Sequence, residues 1–202
     1  MEKKQLRDTL KTRLIDIGQD SRAEKSKRAC LKLMATPEFQ QANVVMIYLS
    51  LPHEVDTATV ILQAWQKGKT VAVPKVSFQQ RHMIPVVLTS LETGFSTEAG
   101  GLRNPITGVP MPMEDIDLII APGLGFDRNG NRIGRGGSYY DRFFANKDIR
   151  AIKCGLAFKE QVVAKVPTVE HDIKMDMLVT DDEVIYCTST TLQGSKKNVR
   201  SI

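Results

Sequence analysis

Cysteine is scarce in this chain of 202 residues: Cys30, Cys154 and Cys187 stand far apart, with no CxxC pair and no histidine at zinc-ligand spacing. That excludes a disulfide framework and a cysteine zinc site, and it reads as reduced, mostly buried thiols. Histidine is as sparse, and His53, His82 and His171 do not cluster. With no HExxH and no G-x-S-x-G, neither a zinc protease nor a serine-nucleophile site has support. No run approaches the ~18 apolar residues of a membrane span. The charged residues 1–13 lack the apolar stretch of a secretory signal, so a cytoplasmic protein is expected. Internal repeats are missing too. The one biased stretch, 188–202, is rich in Ser, Thr and Lys and reads as a flexible polar tail without a role.

What is present has the balance of a globular protein, with 42% hydrophobic and 25% charged residues. A chain of this length buries about 70% of the surface its unfolded form exposes, so one domain over 1–187 needs no covalent staple. The net charge of +5 comes partly from the two ends, Lys3 to Arg13 and Lys196 to Arg200. It suits anionic small molecules and does not by itself separate them from nucleic acid, which is not the expected partner. A monomer is expected.

Leu6, Leu10, Leu14 and Ile17 recur at helical spacing, so 2–17 reads as an amphipathic helix with Lys4, Arg7, Lys11 and Arg13 on its other faces. Ser21 and Glu24 have the spacing of a capping box, which predicts a second helix from Ser21 to about Ala35. The apolar runs 43–49, 70–73, 117–121 and 151–157 read as strands, with a helix over 56–66 closing a βαβ unit and Gly68 stopping it. Pro85 inside the run 83–88 predicts a sheet edge or a bulge. Residues 93–113 show no periodicity and read as an ordered, irregular segment of the kind that covers a site. A helix over 139–146 and closing strands at 177–180 and 184–187 complete the pattern. Alternating strands and helices predict a three-layer α/β/α fold with a mostly parallel sheet, Rossmann-like but without a dinucleotide fingerprint.

The strand at 117–121 runs into 121–141, which holds six glycines together with Arg132, Arg135 and Asp141. Glycines let successive amides point into one anionic concavity, and the two guanidinium groups add charge-assisted bonds to phosphate oxygens. The pattern is neither GxxxxGK[ST] nor GxGxxG, so neither the standard P-loop nor the dinucleotide fold is supported. Asp141, just past the turn, is placed to hold magnesium bridging phosphates. On spacing alone, a tight strand-to-helix connection with Asp141 charging the first helical turn explains the residues as well.

Gly123-Leu124-Gly125-Phe126-Asp127, followed by Asn131-Arg132-Ile133-Gly134-Arg135-Gly136 and Tyr139-Tyr140-Asp141, resembles the 5-formyltetrahydrofolate cyclo-ligase family. Lys3 to Arg7, Leu49 to Glu54, Leu156 to Gln161 and His171 to Asp176 resemble the family's other blocks, so the likeness spans about 2–187. It implies an ATP- and magnesium-dependent ligase acting in one-carbon metabolism, converting 5-formyltetrahydrofolate to 5,10-methenyltetrahydrofolate with release of ADP and phosphate. It further implies that Lys3, Lys4, Arg7 and the run Arg132, Ile133, Gly134, Arg135, Gly136, Gly137, Ser138, Tyr139 and Tyr140 bind ATP. By the same implication, Leu49, Glu54, Arg135 and Tyr139 meet the folate, Arg135 and Tyr139 act in catalysis, and Asp141 and Asp172 ligate magnesium. Each has a plainer reading on residue type alone: Lys3 and Arg7 as a solvated helix face, Glu54 as a loop carboxylate, Leu49 as core, Tyr139 as helix packing.

The resemblance departs at Ser138, where the family usually has glycine and this chain has its glycine one place earlier, at Gly137. A left-handed backbone there costs serine on the order of 1 kcal/mol, while its hydroxyl is equally able to donate to a phosphate. The competing functions are a catalytically degenerate nucleotide- or RNA-binding relative, and a different enzyme, such as a sugar-phosphate isomerase or a CoA transferase, on a similar scaffold.

Overall fold

The computed structural model describes residues 2–187, so the polar stretch 188–202 lies outside the described residues. In chain order the elements are α1 (Lys3–Ile15), α2 (Gln19–Ala35), α3 (Pro37–Gln41), β1 (Val44–Ile47), α4 (Ala58–Gln66), β2 (Thr70–Ser77), β3 (His82–Val87), β4 (Phe95–Thr97) and β5 (Arg103–Pro105). There follow β6 (Leu118–Ala121), β7 (Gly125–Asp127), β8 (Arg132–Ile133), α5 (Tyr139–Phe144), β9 (Ile152–Ala157), β10 (Val162–Val163), β11 (Met177–Thr180) and β12 (Val184–Tyr186).

Seven strands form the central sheet in the order β12-β11-β9-β6-β1-β2-β3. The inner five run parallel, with Val45 opposite Val71 and Leu118, and Leu156 opposite Val179. Both edge strands, β3 and β12, are antiparallel to their neighbours. The inner strands are apolar almost end to end because they are covered on both faces. Val45, Ile47, Leu118, Ile120 and Val179 face a core shared with Leu10, Leu14, Leu33 and Val60 of the helices α1, α2 and α4. Met46, Ala72, Ile119 and Leu178 face the opposite core, with Phe143 and Phe144 of α5. This is the expected three-layer α/β/α arrangement, its second helical layer reduced to one short helix.

The glycine segment adds Phe126 to this second core and Leu124 and Ile133 to the first. It is not a plain loop: β7 and β8 form a hairpin, and β10 pairs with β7. Phe126 of β7, fully buried, lies on the second face against Gly155 of β9, where an added Cβ would stand 2.6 Å from its ring. Asp127 is also fully buried, accepting the backbone N–H groups of Asn129, Asn131 and Val166 and the amide of Asn131. The aspartate of the signature is thus committed to building the hairpin.

Three local expectations are corrected. The second helix starts at Gln19, with Gly18 at its cap and no side-chain capping bond, so the Ser21–Glu24 capping box does not form. The extra turn places Arg22 to donate to the carbonyls of Leu14 and Ile17, closing the α1 terminus. Helix α3 was not anticipated, although Thr36 caps it by accepting the Phe39 N–H at 3.3 Å and Pro37 opens it. The irregular segment 93–113 contains the β4–β5 hairpin. Pro85 sits on the edge strand β3, as expected, opposite Pro74 of β2. Pro74 is tolerated because β2 pairs with β1 only as far as Ala72.

Candidate active site

The chain passes from β1 through α4 to β2 on one side of the sheet, and returns to β6 on the other side of β1. Strand order therefore reverses between β1 and β6, and the crevice past their carboxyl ends is where open α/β sheets bind ligands. A cavity of about 510 Å³ opens there, lined by residues following β1, residues following β6, the start of α1 and the segment around Asp172. All the expected site residues line it except Lys4, which is exposed on α1. A second depression, of about 540 Å³ beside Lys159 and Glu183, shares none of them. Volume does not separate the two; the convergence of distant cationic and acidic blocks singles out the first.

Arg132 is nearly buried and donates from Nη2 to Asp141 Oδ1 at 2.9 Å and from Nη1 to the Pro122 carbonyl at 3.3 Å, with its guanidinium 5.4 Å from the Tyr140 ring centre. Its Nε and the Tyr140 hydroxyl are buried without a hydrogen-bond partner among the described residues. Such orphaned groups cost about 1–3 kcal/mol each until a partner arrives, so their presence beside a cavity fits a polar ligand completing them. Burial pushes the Tyr140 phenol well above its ordinary pKa, with Arg132 partly opposing, which keeps the hydroxyl a donor.

Arg135 lies half-exposed across the cavity and donates from Nε and Nη2 to Glu54 Oε1 at 3.3 and 3.1 Å. The other Glu54 oxygen accepts the Leu51 N–H at 3.0 Å. From α1, Lys3 pairs with Asp172 and Arg7 donates to the Gly134 carbonyl at 3.0 Å, so the first helix is tied directly to the glycine loop. Burial alone would raise the Asp172 carboxyl, but the bonds from Lys3 and the Val169 N–H hold it below its ordinary value. Leu49 lines the cavity while belonging to the apolar core.

Among the described residues no group of three or more His, Cys, Asp or Glu is arranged to hold a metal. Magnesium commonly takes one or two carboxylates and completes its shell with water and phosphate. Asp141 and Asp172 fit that donor set, since each engages one oxygen, Oδ1 and Oδ2 respectively, and leaves the other without a bond among the described residues.

Tyr139 opens α5 with its ring held between Phe78, at 6.3 Å edge-on, and the Arg142 guanidinium at 5.2 Å. Arg142 also donates to the carbonyls of Arg81 and Gly137, fastening the glycine loop to the β2–β3 turn. A Cβ at position 137 would lie 2.7 Å from the Tyr139 ring, so any other residue there would displace that ring. Ser138 has φ 51° and ψ 26°, the left-handed conformation, and its side chain makes no capping bond. The strain expected of serine in place of glycine is therefore present. Ser138→Gly is expected to raise unfolding free energy by roughly 0.5–1 kcal/mol, because relief of the left-handed cost exceeds the entropy glycine adds to the unfolded chain. Chemical denaturation reads the gain; a parallel fall in turnover would show that the hydroxyl is used.

The cavity also takes in residues the sequence did not single out: Tyr48, Pro74, Leu102, Arg103 and Val169. The only signal for Leu102 and Arg103 was that a long segment, 93–113, commonly covers a site.

Fold and cavity together define an α/β protein that gathers cations, carboxylates and a glycine-rich turn at the switch point of its sheet. Similarity to known proteins narrows the class. Residues 1–181 match the model of the 5-formyltetrahydrofolate cyclo-ligase family. The mouse 5-formyltetrahydrofolate cyclo-ligase is 34% identical over 191 residues, spanning 89% of this chain and 94% of the mouse protein. The Escherichia coli K12 enzyme of that name is 28% identical over 168 residues, 82% of this chain and 92% of its own. The NMR structure of Aquifex aeolicus 5,10-methenyltetrahydrofolate synthetase matches with a TM-score of 0.81 at 29% identity, over 98% of this chain and 100% of that one. The chain belongs to the 5-formyltetrahydrofolate cyclo-ligase family and is a ligase.

Proposed function

We propose that this enzyme closes 5-formyltetrahydrofolate to 5,10-methenyltetrahydrofolate with ATP as phosphoryl donor and magnesium as its counter-ion, releasing ADP and phosphate. The observation that carries the reading is the convergence, on one cavity, of the glycine–arginine turn, Lys3 and Arg7 of α1, Glu54 after β1, and Asp141 and Asp172. These blocks lie far apart in sequence and share no core-building need that would bring their charges together.

The chemistry explains the need for ATP. A formyl group on nitrogen is a weak electrophile with a poor leaving oxygen. That oxygen attacks the γ-phosphorus, the bond to the bridging oxygen breaks, and ADP departs, leaving an imidate phosphate. N10 then attacks the activated carbon, the carbon–oxygen bond breaks, phosphate leaves with the electron pair, and N10 loses its proton. Phosphoryl transfer depends mainly on positioning and charge neutralisation, which is what the amides of 134–137, Lys3, Arg7, Arg132 and Arg135 offer. Bound at Asp141 and Asp172, magnesium would neutralise phosphate charge. The Glu54 carboxylate, with oxygens that accept hydrogen bonds, suits the N–H edge of a pterin. Tyr139, held by Phe78 and Arg142, stands beside the formyl group in this reading, and Arg135 spans the two substrates.

The three thiols, all free and two of them buried, fit a reducing, cytoplasmic setting. The test is absorbance in the methenyl-folate band after mixing protein, magnesium, ATP and 5-formyltetrahydrofolate. A rise that requires ATP is expected. Folded protein that binds ATP yet gives no rise would overturn the reading in favour of a catalytically degenerate binding relative.

A further inference from the structure

The cavity is lined by five cations and three carboxylates. Each carboxylate is matched to one cation, in the pairs Lys3–Asp172, Arg132–Asp141 and Arg135–Glu54. Two cations have no carboxylate partner among the described residues. One is Arg7, bonded to the Gly134 carbonyl inside the glycine loop, where phosphates belong. The other is Arg103, on β5, an element that contributes no other charge to the cavity.

Arg103 is held in place by uncharged groups. Its Nη1 donates to the Leu91 carbonyl at 2.9 Å and its guanidinium lies 5.2 Å from the centre of the Phe95 ring. The next residue, Asn104, is buried and acts as a strand partner for β2: its side-chain oxygen accepts the Val76 N–H at 2.8 Å and its amide donates to the Val76 carbonyl at 3.0 Å. The hairpin is thereby fastened to the sheet, and the guanidinium is oriented before any ligand arrives. A pre-positioned arginine whose partners leave its charge uncompensated is an anion receptor, and its planar fork matches a carboxylate.

We propose that Arg103 receives a carboxylate of the glutamyl tail of the folate substrate, making it the specificity-determining cation on the folate side. The inference rests on the reaction proposed above, which brings two anionic molecules into the cavity. The nucleotide's phosphates are served by α1 and the glycine loop, and the remaining anion is the glutamyl tail.

The test compares wild type with Arg103→Gln, which keeps a donor for the Leu91 carbonyl and removes the charge. Three substrates are used with ATP: 5-formyltetrahydrofolate with one glutamate, the same with three, and the primary amide of 5-formyltetrahydropteroate, which has neither glutamate nor a free carboxylate. The variant is expected to raise KM for the glutamate-bearing folates roughly tenfold or more, with kcat and the KM for ATP little changed, and to differ far less from wild type on the pteroate amide. An unchanged folate KM, an equal rise on the pteroate amide, or a rise confined to ATP would each overturn the assignment. Wild-type protein with no ATP-dependent turnover would sink the proposed reaction itself, an outcome distinct from an active enzyme indifferent to Arg103.

Discussion

Arg135→Ala is expected to lower ATP-dependent turnover by roughly two to three orders of magnitude, with the fall mainly in kcat, while the protein stays folded. The size follows from where the charge sits. In the ligand-free state the Arg135 guanidinium spans the cavity mouth to Glu54, and its side chain remains 46% exposed. Arg135 itself contributes little to the core, but its partner Glu54 is 7% exposed, so the pair is only half on the surface. Glu54 keeps the Leu51 N–H after the substitution and still faces the cavity, so it is not left buried without a partner. Unfolding free energy should therefore fall by about 1–3 kcal/mol, which leaves the protein folded. Catalysis is different, because charge developing on the transferred phosphoryl group would be met by a guanidinium already in position, at no further cost in reorganisation. Arg135→Lys should recover only part of the rate, since an ammonium cannot reproduce the planar fork. Steady-state kinetics with denaturation of the same samples checks both halves; turnover within about threefold of wild type would remove Arg135 from the chemistry.

The ease with which this site could be read, and the places where it could not, have separate physical causes. Most of the site is contiguous: Arg132 to Asp141 follow one another because a tight turn at a strand end presents successive groups to one point. The parallel strands were legible because burial on both faces leaves uninterrupted runs such as 118–121. The fold of the glycine segment was not legible. Its glycines report where backbone and ring approach closely, as at Gly123 against Phe126 and Gly137 against Tyr139, but not that the chain between them pairs as a hairpin. Arg103 was illegible for another reason. Its role depends on Asn104 bonding to Val76, a long-range contact with no local pattern. The cap at Ser21 failed because a local preference was outweighed by the bonds Arg22 makes once the helix begins earlier.

The substitution that couples the fold to the site most directly is Asp141→Asn. Arg132 is 95% buried, and Asp141 is its only carboxylate partner among the described residues. Removing that charge while keeping the shape leaves a buried guanidinium with neutral partners alone, the Asn amide oxygen, the Pro122 carbonyl and the Tyr140 ring, and unfolding free energy should fall by about 3 kcal/mol. Turnover should fall by at least about a hundredfold, for a reason that stability alone does not supply: Asp141 is one of the two carboxylates proposed to hold magnesium. The two effects separate in the double variant Arg132→Met, Asp141→Asn. Replacing the whole buried pair by groups of similar volume removes the uncompensated charge, so most of the lost stability should return. Turnover should not return, because neither the cation proposed for phosphate nor the carboxylate proposed for magnesium is restored. Denaturation and kinetics on the wild type, both single variants and the double variant complete the cycle. Recovery of turnover together with stability would mean that the Arg132–Asp141 pair only builds the wall of the cavity and takes no part in what happens inside it.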